Sequence, residues 1–485
     1  MEVDQLEPKG IWENFCRLNA IPRASKREAR VTAFVKAFAE RLHLKVAVDR
    51  VGNVVIDKPA TAGMQDRQTV VLQSHLDMVH QKNQDTEFDF DTDGIRMYVD
   101  GDWVKARGTT LGADNGIGVS AIVALLAATS IPHPPLVALF TVDEETGMTG
   151  AKELERQYVC GDILLNLDTE RDTQLAVGCA GGIDSTVVGS YREEACPQGY
   201  RTFTLYVKGL RGGHSGMDIH KGLGNSNKIM NRLLFAAQRE AAIRIVAIDG
   251  GGLRNAIPRE STARFAVPSD RVKKLESCLQ ALSSLIRAAL SRSDSGMEIS
   301  WESADQAESV MHSADQKKLL HALYACYNGV YRMSNTIAGL VETSSNLARV
   351  HVCDGKIQIG TLQRSASESA KADMAQTLAS AFELAGYSVR RSGSYPGWQV
   401  NPDSPIRKLC QSVYTELFGA EPEVVAEHGG LECGLLLDRF PTMDAVSFGP
   451  NILGAHSPDE RVQISSVQKF WKFLSAVLQA IPKRD

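Results

Sequence analysis

The sequence predicts an α/β protein interrupted by an α+β insertion, and three observations carry that expectation. Apolar, β-branched runs at 69–74, 136–142 and 162–168 alternate with an Ala-rich apolar stretch after residue 115. This order lays helices on both faces of a sheet. Each run stops at a His or an acid: His75, then Asp143-Glu144-Glu145, then Asp168. From about 190 to 390 the pattern changes to alternating, half-exposed strands between amphipathic helices. A chain of 485 residues exceeds one ordinary core, so two to three domains are expected. The expected division is 1–189 and 391–485 for the first domain and 190–390 for the insertion.

Composition narrows the function classes. A net charge of -5 supplies no basic field for nucleic acid or an anionic membrane. The run from Val119 to Ala128 is too short to span a bilayer, and Met1 to Pro8 lacks the basic and apolar regions of a signal peptide. Nine cysteines without a CxxC pair make a disulfide framework an unsuitable reading. A cytoplasmic setting is the expectation.

In chain order, Trp12, Phe15, Leu18, Val31, Phe34, Val35, Phe38 and Leu42 recur at helical spacing, with Pro22 between two segments. Lys45-Val-Ala-Val and Val54-Val-Ile flank Gly52-Asn53 and predict a hairpin. The stretch 83–102 reads as an acidic loop with a short strand before Trp103. A Gly-rich loop from Arg107 runs into the Ala-rich helix, with Asp114 near its N-cap. It lacks the GK[ST] of a phosphate-binding loop. In the insertion, 200–208, Ile243–Ile248 and Ser261–Ala266 read as strands, and 224–241 and 270–292 as helices. A helix at 404–418 and a strand at 444–449 return to the first pattern.

The chemistry-bearing residues gather at element ends. His75 and Asp77 lie two apart, which puts both on one face as a strand ends. Ligands bind at the carboxyl ends of strands in such sheets. His75, Asp77, Asp114, Glu144, Glu145, Asp168 and His456 form a nitrogen/oxygen ligand set suited to Zn²⁺, with Mn²⁺ or Co²⁺ as alternatives. Five ligands with one shared carboxylate suggest two metals. Adjacent Glu144 and Glu145 face apart, so one can ligate while the other reaches a water. Glu432 reads as a helix-packing acid, and His80, His133, His220 and His428 as structural or exposed.

These residues sit in motifs that resemble a known family. They are Ser74-His-Leu-Asp-Met78, Lys105 through Gly118, Glu144-Glu-Thr-Gly147, Gly178 through Asp184, Lys208 through Gly216, Leu253 through Glu260, Tyr395-Pro-Gly-Trp398, Gly430-Leu-Glu-Cys-Gly434 and His456-Ser-Pro-Asp-Glu460. Taken in order, they are similar to the co-catalytic dizinc peptidases related to carboxypeptidase G2 and carnosinase, and within these to dipeptidases that cut Xaa-His. The resemblance implies a mixed-sheet catalytic domain with an inserted α+β lid domain that also dimerises. It implies two divalent metals, zinc first, with His75 on one, His456 on the other and Asp114 between them. Glu145 and Asp168 would complete the pair. Asp77 would orient His75, and Glu144 would be the base that generates a metal-bound hydroxide. His214 would help hold the substrate carbonyl oxygen, and Asn255 and Arg364 the substrate's polar groups and carboxylate. It implies small peptide substrates and a homodimer, with no nucleic acid or membrane partner. His80 departs from the family, which carries Pro there. Residue logic alone leaves open an N-acyl amino acid deacylase, a tripeptidase or a non-catalytic binding protein on the same fold.

Overall fold

The computed structural model of the chain describes residues 2–484. It divides into two compact units: residues 1–178, 400–426 and 431–485, and residues 179–399 with 427–430.

The first unit is built on an eight-stranded mixed sheet. Its strand order is Lys45–Val48, Val54–Lys58, Leu136–Thr141, Val70–His75, Ile163–Asn166, Asp444–Ser447, Gln174–Cys179 and Glu423–Glu427. The first two form the hairpin expected at Gly52-Asn53. Val70–His75 runs parallel to both its neighbours, and every residue in it is buried. A strand covered on both faces needs a continuous apolar run, which Val70-Val-Leu supplies. The Ala-rich stretch forms the helix Ala113–Ala127, and its residues are buried nearly all round. A helix without a polar stripe belongs in an interior.

A second, four-stranded sheet joins Met97–Asp100, Trp103–Ala106, Arg461–Gln463 and Ile452–Leu453. Its first two strands form a hairpin inside and beside the acidic stretch. Its last pair, Ile452 with Val462 and Leu453 with Arg461, closes the loop that carries His456 and Glu460.

The second unit holds a nine-stranded antiparallel sheet whose strands include Gly181–Ser190 and Ser388–Tyr395. Its sheet material therefore begins ahead of residue 190 and continues past 390. In Tyr200–Lys208, Phe203, Leu205 and Val207 turn inward at alternate positions, as an antiparallel strand with one core face requires. The helices Ser226–Ala241, Val272–Leu290, Ser313–Ala325 and Glu368–Glu383 bring Leu233, Leu279, Leu320 and Phe382 into one core with Phe265 and Leu347. Among the described residues no helix is long and apolar enough to cross a membrane.

Candidate metal centre

His75 ends its strand at the carboxyl edge of the sheet and is 1% exposed. Its Nδ1 lies 3.1 Å from the carbonyl of Asp77 and 3.4 Å from Asp77 Oδ1. That engagement leaves Nε2 facing Asp114 Oδ1 at 3.1 Å and Asp168 Oδ1 at 3.5 Å. A carboxylate on the far nitrogen is how a metal-ligating imidazole is held in orientation. Asp77 also accepts from Ser25 Oγ at 2.8 Å and from the amides of Glu144 at 3.0 Å and Glu145 at 3.2 Å. Burial works to raise its pKa, but bonds from His75, Glu144 and Ser25 hold it below the ordinary value.

Asp114 lies near the start of the Ala113–Ala127 helix with non-helical torsions, and its peptide to Asn115 is cis. Its loop is cradled by Glu460. Oε2 accepts from the amides of Leu111 at 2.7 Å and Gly112 at 2.9 Å, and Oε1 from Ala113 at 2.7 Å and Asp114 at 3.2 Å. Arg23, wholly buried behind the loop, donates to the carbonyls of Leu76 and Asp77 at 3.1 Å and of Gly112 at 2.5 Å. Gly112 takes φ +68, and a Cβ there would lie 2.7 Å from Met78 Sδ, so glycine alone suits the approach. Asn115 Nδ2 donates to the Leu167 carbonyl at 2.8 Å and to Asp168, fixing that acid against the loop.

The two oxygens of Asp114 face two different imidazoles. Oδ1 approaches His75 Nε2, and Oδ2 lies 3.2 Å from His456 Nε2. His456, held at φ +64, also lies 3.0 Å from Glu145 Oε2. Three sets of ligand atoms each fall within 4.8 Å of one another: His75, Asp114 and Asp168; His75, Glu144 and Glu145; Asp114, Glu145 and His456. Asp114 belongs to the first and third, which gives two separate nitrogen/oxygen clusters sharing one carboxylate.

The electrostatics fit cations at both clusters. Burial pushes Glu144 well above the ordinary carboxylate range, and Glu145 and Asp168 upward. Burial opposes a proton on His75, yet Asp168, Asp114 and Asp77 raise it well above its usual value. Bonds to Asp114 and Glu145 carry His456 up to about 11. Among the described residues no Lys or Arg forms an ion pair with these five carboxylates; only the two imidazoles do. Glu145 Oε1 is buried without a hydrogen-bond partner. An anionic cage that draws protons onto both histidines is a donor set for divalent cations of the zinc type.

His214, Asn255 and Arg364 lie in the second unit. His214 Nδ1 accepts the amides of Gly216 at 3.3 Å and Met217 at 3.1 Å. The ring proton of the neutral imidazole therefore sits on Nε2. That atom lies 3.4 Å from Arg364 Nη2, so two donors face the same space. Burial, then the Arg364 charge, lowers the His214 pKa to about 4. Arg364 is 4% exposed and donates to Tyr395 Oη at 2.7 Å and Ser215 Oγ at 3.4 Å. Asn255 is exposed, and its carbonyl accepts from the Ser215 amide at 2.7 Å.

Several participants escape sequence reasoning. Arg23, Ser25, Asn115, Glu460 and Tyr395 make contacts with site residues that local pattern does not announce. Position inside the recurring motifs was the available signal for Asn115, Glu460 and Tyr395. His428 is buried, bonded to Ser344 Oγ at 2.7 Å and pushed down to about 3 by burial and by Arg364. Glu432, read as a helix-packing acid, is wholly buried, and its Oε2 accepts from Gln73 Nε2 and Thr141 Oγ1, each at 2.6 Å.

Comparison with known proteins places this geometry among relatives. A family model described as peptidase family M20/M25/M40 matches residues 71–480. The cytosol non-specific dipeptidase of Escherichia coli is 43% identical over 483 residues, covering 100% of both chains. The crystal structure of aminoacylhistidine dipeptidase from Vibrio alginolyticus superposes with a TM-score of 0.93 at 43% identity, covering 100% of this chain and 99% of that one. A tripeptidase from Staphylococcus aureus shares the fold at 15% identity and a TM-score of 0.56, covering 98% and 99%.

Proposed function

The chain belongs to peptidase family M20/M25/M40, and on that premise we propose that it is a metal-dependent dipeptidase whose substrates include Xaa-His and carnosine-like dipeptides. The observation that carries the reading is Asp114, whose two oxygens face two imidazoles across a buried anionic cluster. The full-length likeness to two dipeptidases supports the choice of a dipeptide over an N-acyl amino acid or a tripeptide.

In this reading His75, Asp114 and Asp168 hold one divalent cation, and His456, Asp114 and Glu145 the other, with zinc preferred and cobalt or manganese accepted. When bound, such a pair lowers the pKa of a water and polarises a peptide carbonyl. Glu144 is the base. Burial keeps its proton affinity high, which suits a carboxylate that must take a proton from water and give it to the leaving amine. Asp77 orients His75 and, through the amides of Glu144 and Glu145, the turn that presents the base. His214 Nε2–H donates to the oxygen that gains charge. Arg364 takes the substrate carboxylate, and Asn255 donates to the remaining polar groups. Unit 2 serves as lid and dimerisation domain of a homodimer, and the enzyme works in the cytoplasm.

Metal analysis with a substrate panel tests the reading. The panel is carnosine, other Xaa-His and unrelated dipeptides, tripeptides and N-acyl amino acids. Two equivalents of divalent metal with hydrolysis confined to dipeptides are expected. Metal-loaded protein that cleaves only tripeptides or N-acyl amino acids would overturn the assignment.

A further inference from the structure

Glu432 is an acid that the mechanism does not use. It is 0% exposed. Its Oε2 accepts two hydrogen bonds, from Gln73 Nε2 and Thr141 Oγ1, both at 2.6 Å. Its Oε1 is buried without a hydrogen-bond partner, and no Lys, Arg or His forms an ion pair with it among the described residues. An amide oxygen could accept the same two bonds. Burying a carboxylate without a paired cation costs far more than burying an amide. The hydrogen bonds therefore do not explain why an acid stands here.

The place of the acid does. Gln73 and His75 share one face of the Val70–His75 strand, two residues apart. Thr141 is the register partner of His75 across the parallel pair. Gln73 Oε1 in turn accepts from Asn166 Nδ2 at 2.5 Å, and Asn166 stands two residues before Asp168. Glu432 thus anchors a buried polar row one layer beneath the ligand atoms of His75 and Asp168. The charged groups that act most strongly on its carboxyl across that row are His75, Asp168 and Asp77, all members of the candidate metal centre.

We propose that Glu432 is a positioning residue whose buried negative charge strengthens cation binding at the His75–Asp114–Asp168 cluster without touching the cation. The proposal rests on the reading of that cluster as a metal site. Glu432 stabilises the loaded protein through its charge and destabilises the metal-free protein, where, among these charged groups, His75 alone offsets that charge against burial and the carboxylates of Asp168 and Asp77.

The two effects have opposite signs, and Glu432→Gln separates them. Metal-free wild type, E432Q and Thr141→Val are titrated with Zn²⁺ and with Mn²⁺ by calorimetry, and their metal-free thermal midpoints are measured. E432Q is expected to weaken one of two binding events by about 10- to 100-fold, the range for groups behind a metal ligand. Its metal-free midpoint is expected to equal or exceed that of wild type. T141V removes the hydroxyl that donates to Glu432 and accepts from Gln73 Nε2 at 3.1 Å but keeps the charge, and is expected to leave the affinity unchanged. Unchanged affinity in E432Q, or an equal loss in T141V and E432Q, overturns the proposal in favour of packing alone. A lower metal-free midpoint in E432Q overturns it as well. Wild type that binds neither ion removes the reading of the cluster, an outcome distinct from all of these.

Discussion

Asp77 serves three neighbours with one carboxylate: it holds the Nδ1 side of His75 and caps the amides of Glu144 and Glu145. Asp77→Asn puts an amide NH₂ where one oxygen now accepts, so it sets a donor against a donor. Metal affinity is expected to fall about 10- to 100-fold, read by titration of the metal-free protein. Glu144 differs in kind. Glu144→Gln leaves the atoms of the proposed ligands in place and removes the carboxylate proposed to carry the proton. Its kcat should drop by about 10²- to 10⁴-fold while two equivalents of metal remain bound; near-normal turnover would remove Glu144 from the role of base. The spacing of His75 and Asp77 was legible because a two-residue period has a fixed geometric meaning. Arg23 was not, because a buried arginine that donates mainly to distant backbone carbonyls, of Leu76, Asp77 and Gly112, leaves no motif in the sequence.

At the scale of elements, the loop 111–114 is shaped by a residue from the far end of the chain. Glu460 accepts four consecutive amides across 346 to 349 positions. Glu460→Gln retains one acceptor oxygen and turns an NH₂ on two of the amides, leaving buried donors unsatisfied. A loss of about 1–3 kcal/mol is expected from denaturant melts of the metal-free protein. Glycine and an Ala-rich run announced the loop and its helix in the sequence. The cradle was hidden because nothing local links Leu111 to Glu460. The same contrast separates strands from sites. The runs at 70–75, 136–141 and 163–166 were readable from β-branched residues, since each is buried on both faces. The polar row of Thr141, Gln73 and Asn166 inside them has no mark in the sequence, because only register brings the three together. Glu432 reaches that row from a helix start 359 residues beyond Gln73, so the sequence alone reads it as a helix-packing acid.

For the whole molecule, acid should weaken the second unit through two histidines. Burial and the Arg364 charge hold His214 near 4 and His428 near 3, so both stay neutral in the fold. In the unfolded chain a histidine binds its proton near pH 6.5. The unfolded state therefore binds more protons between these values, and stability rises with pH. The contribution is complete above about pH 6.5 and drains away as pH falls toward 4 and 3. Thermal melts of metal-free protein from neutral to acid pH should decline less steeply in His428→Gln than in wild type. Parallel curves would show that His428 does not carry the effect.

The strand Asp444–Ser447 lies between Ile163–Asn166 and Gln174–Cys179, and Arg461–Gln463 pairs with Trp103–Ala106. During synthesis the ribosome delivers these inner strands only after all of residues 179–399. Residues 179–399 can complete most of their own sheet while the dipeptidase sheet still waits for its middle. Until residue 447 emerges, Ile163–Asn166 offers an unpaired edge, a template for association with other chains. His456, a ligand in the proposed metal site, and Glu460, which shapes the 111–114 loop, arrive later still. On the proposed site, activity waits for residues 456–460, and a chain cut short before residue 444 is left with that open edge, an aggregation hazard rather than a partial enzyme.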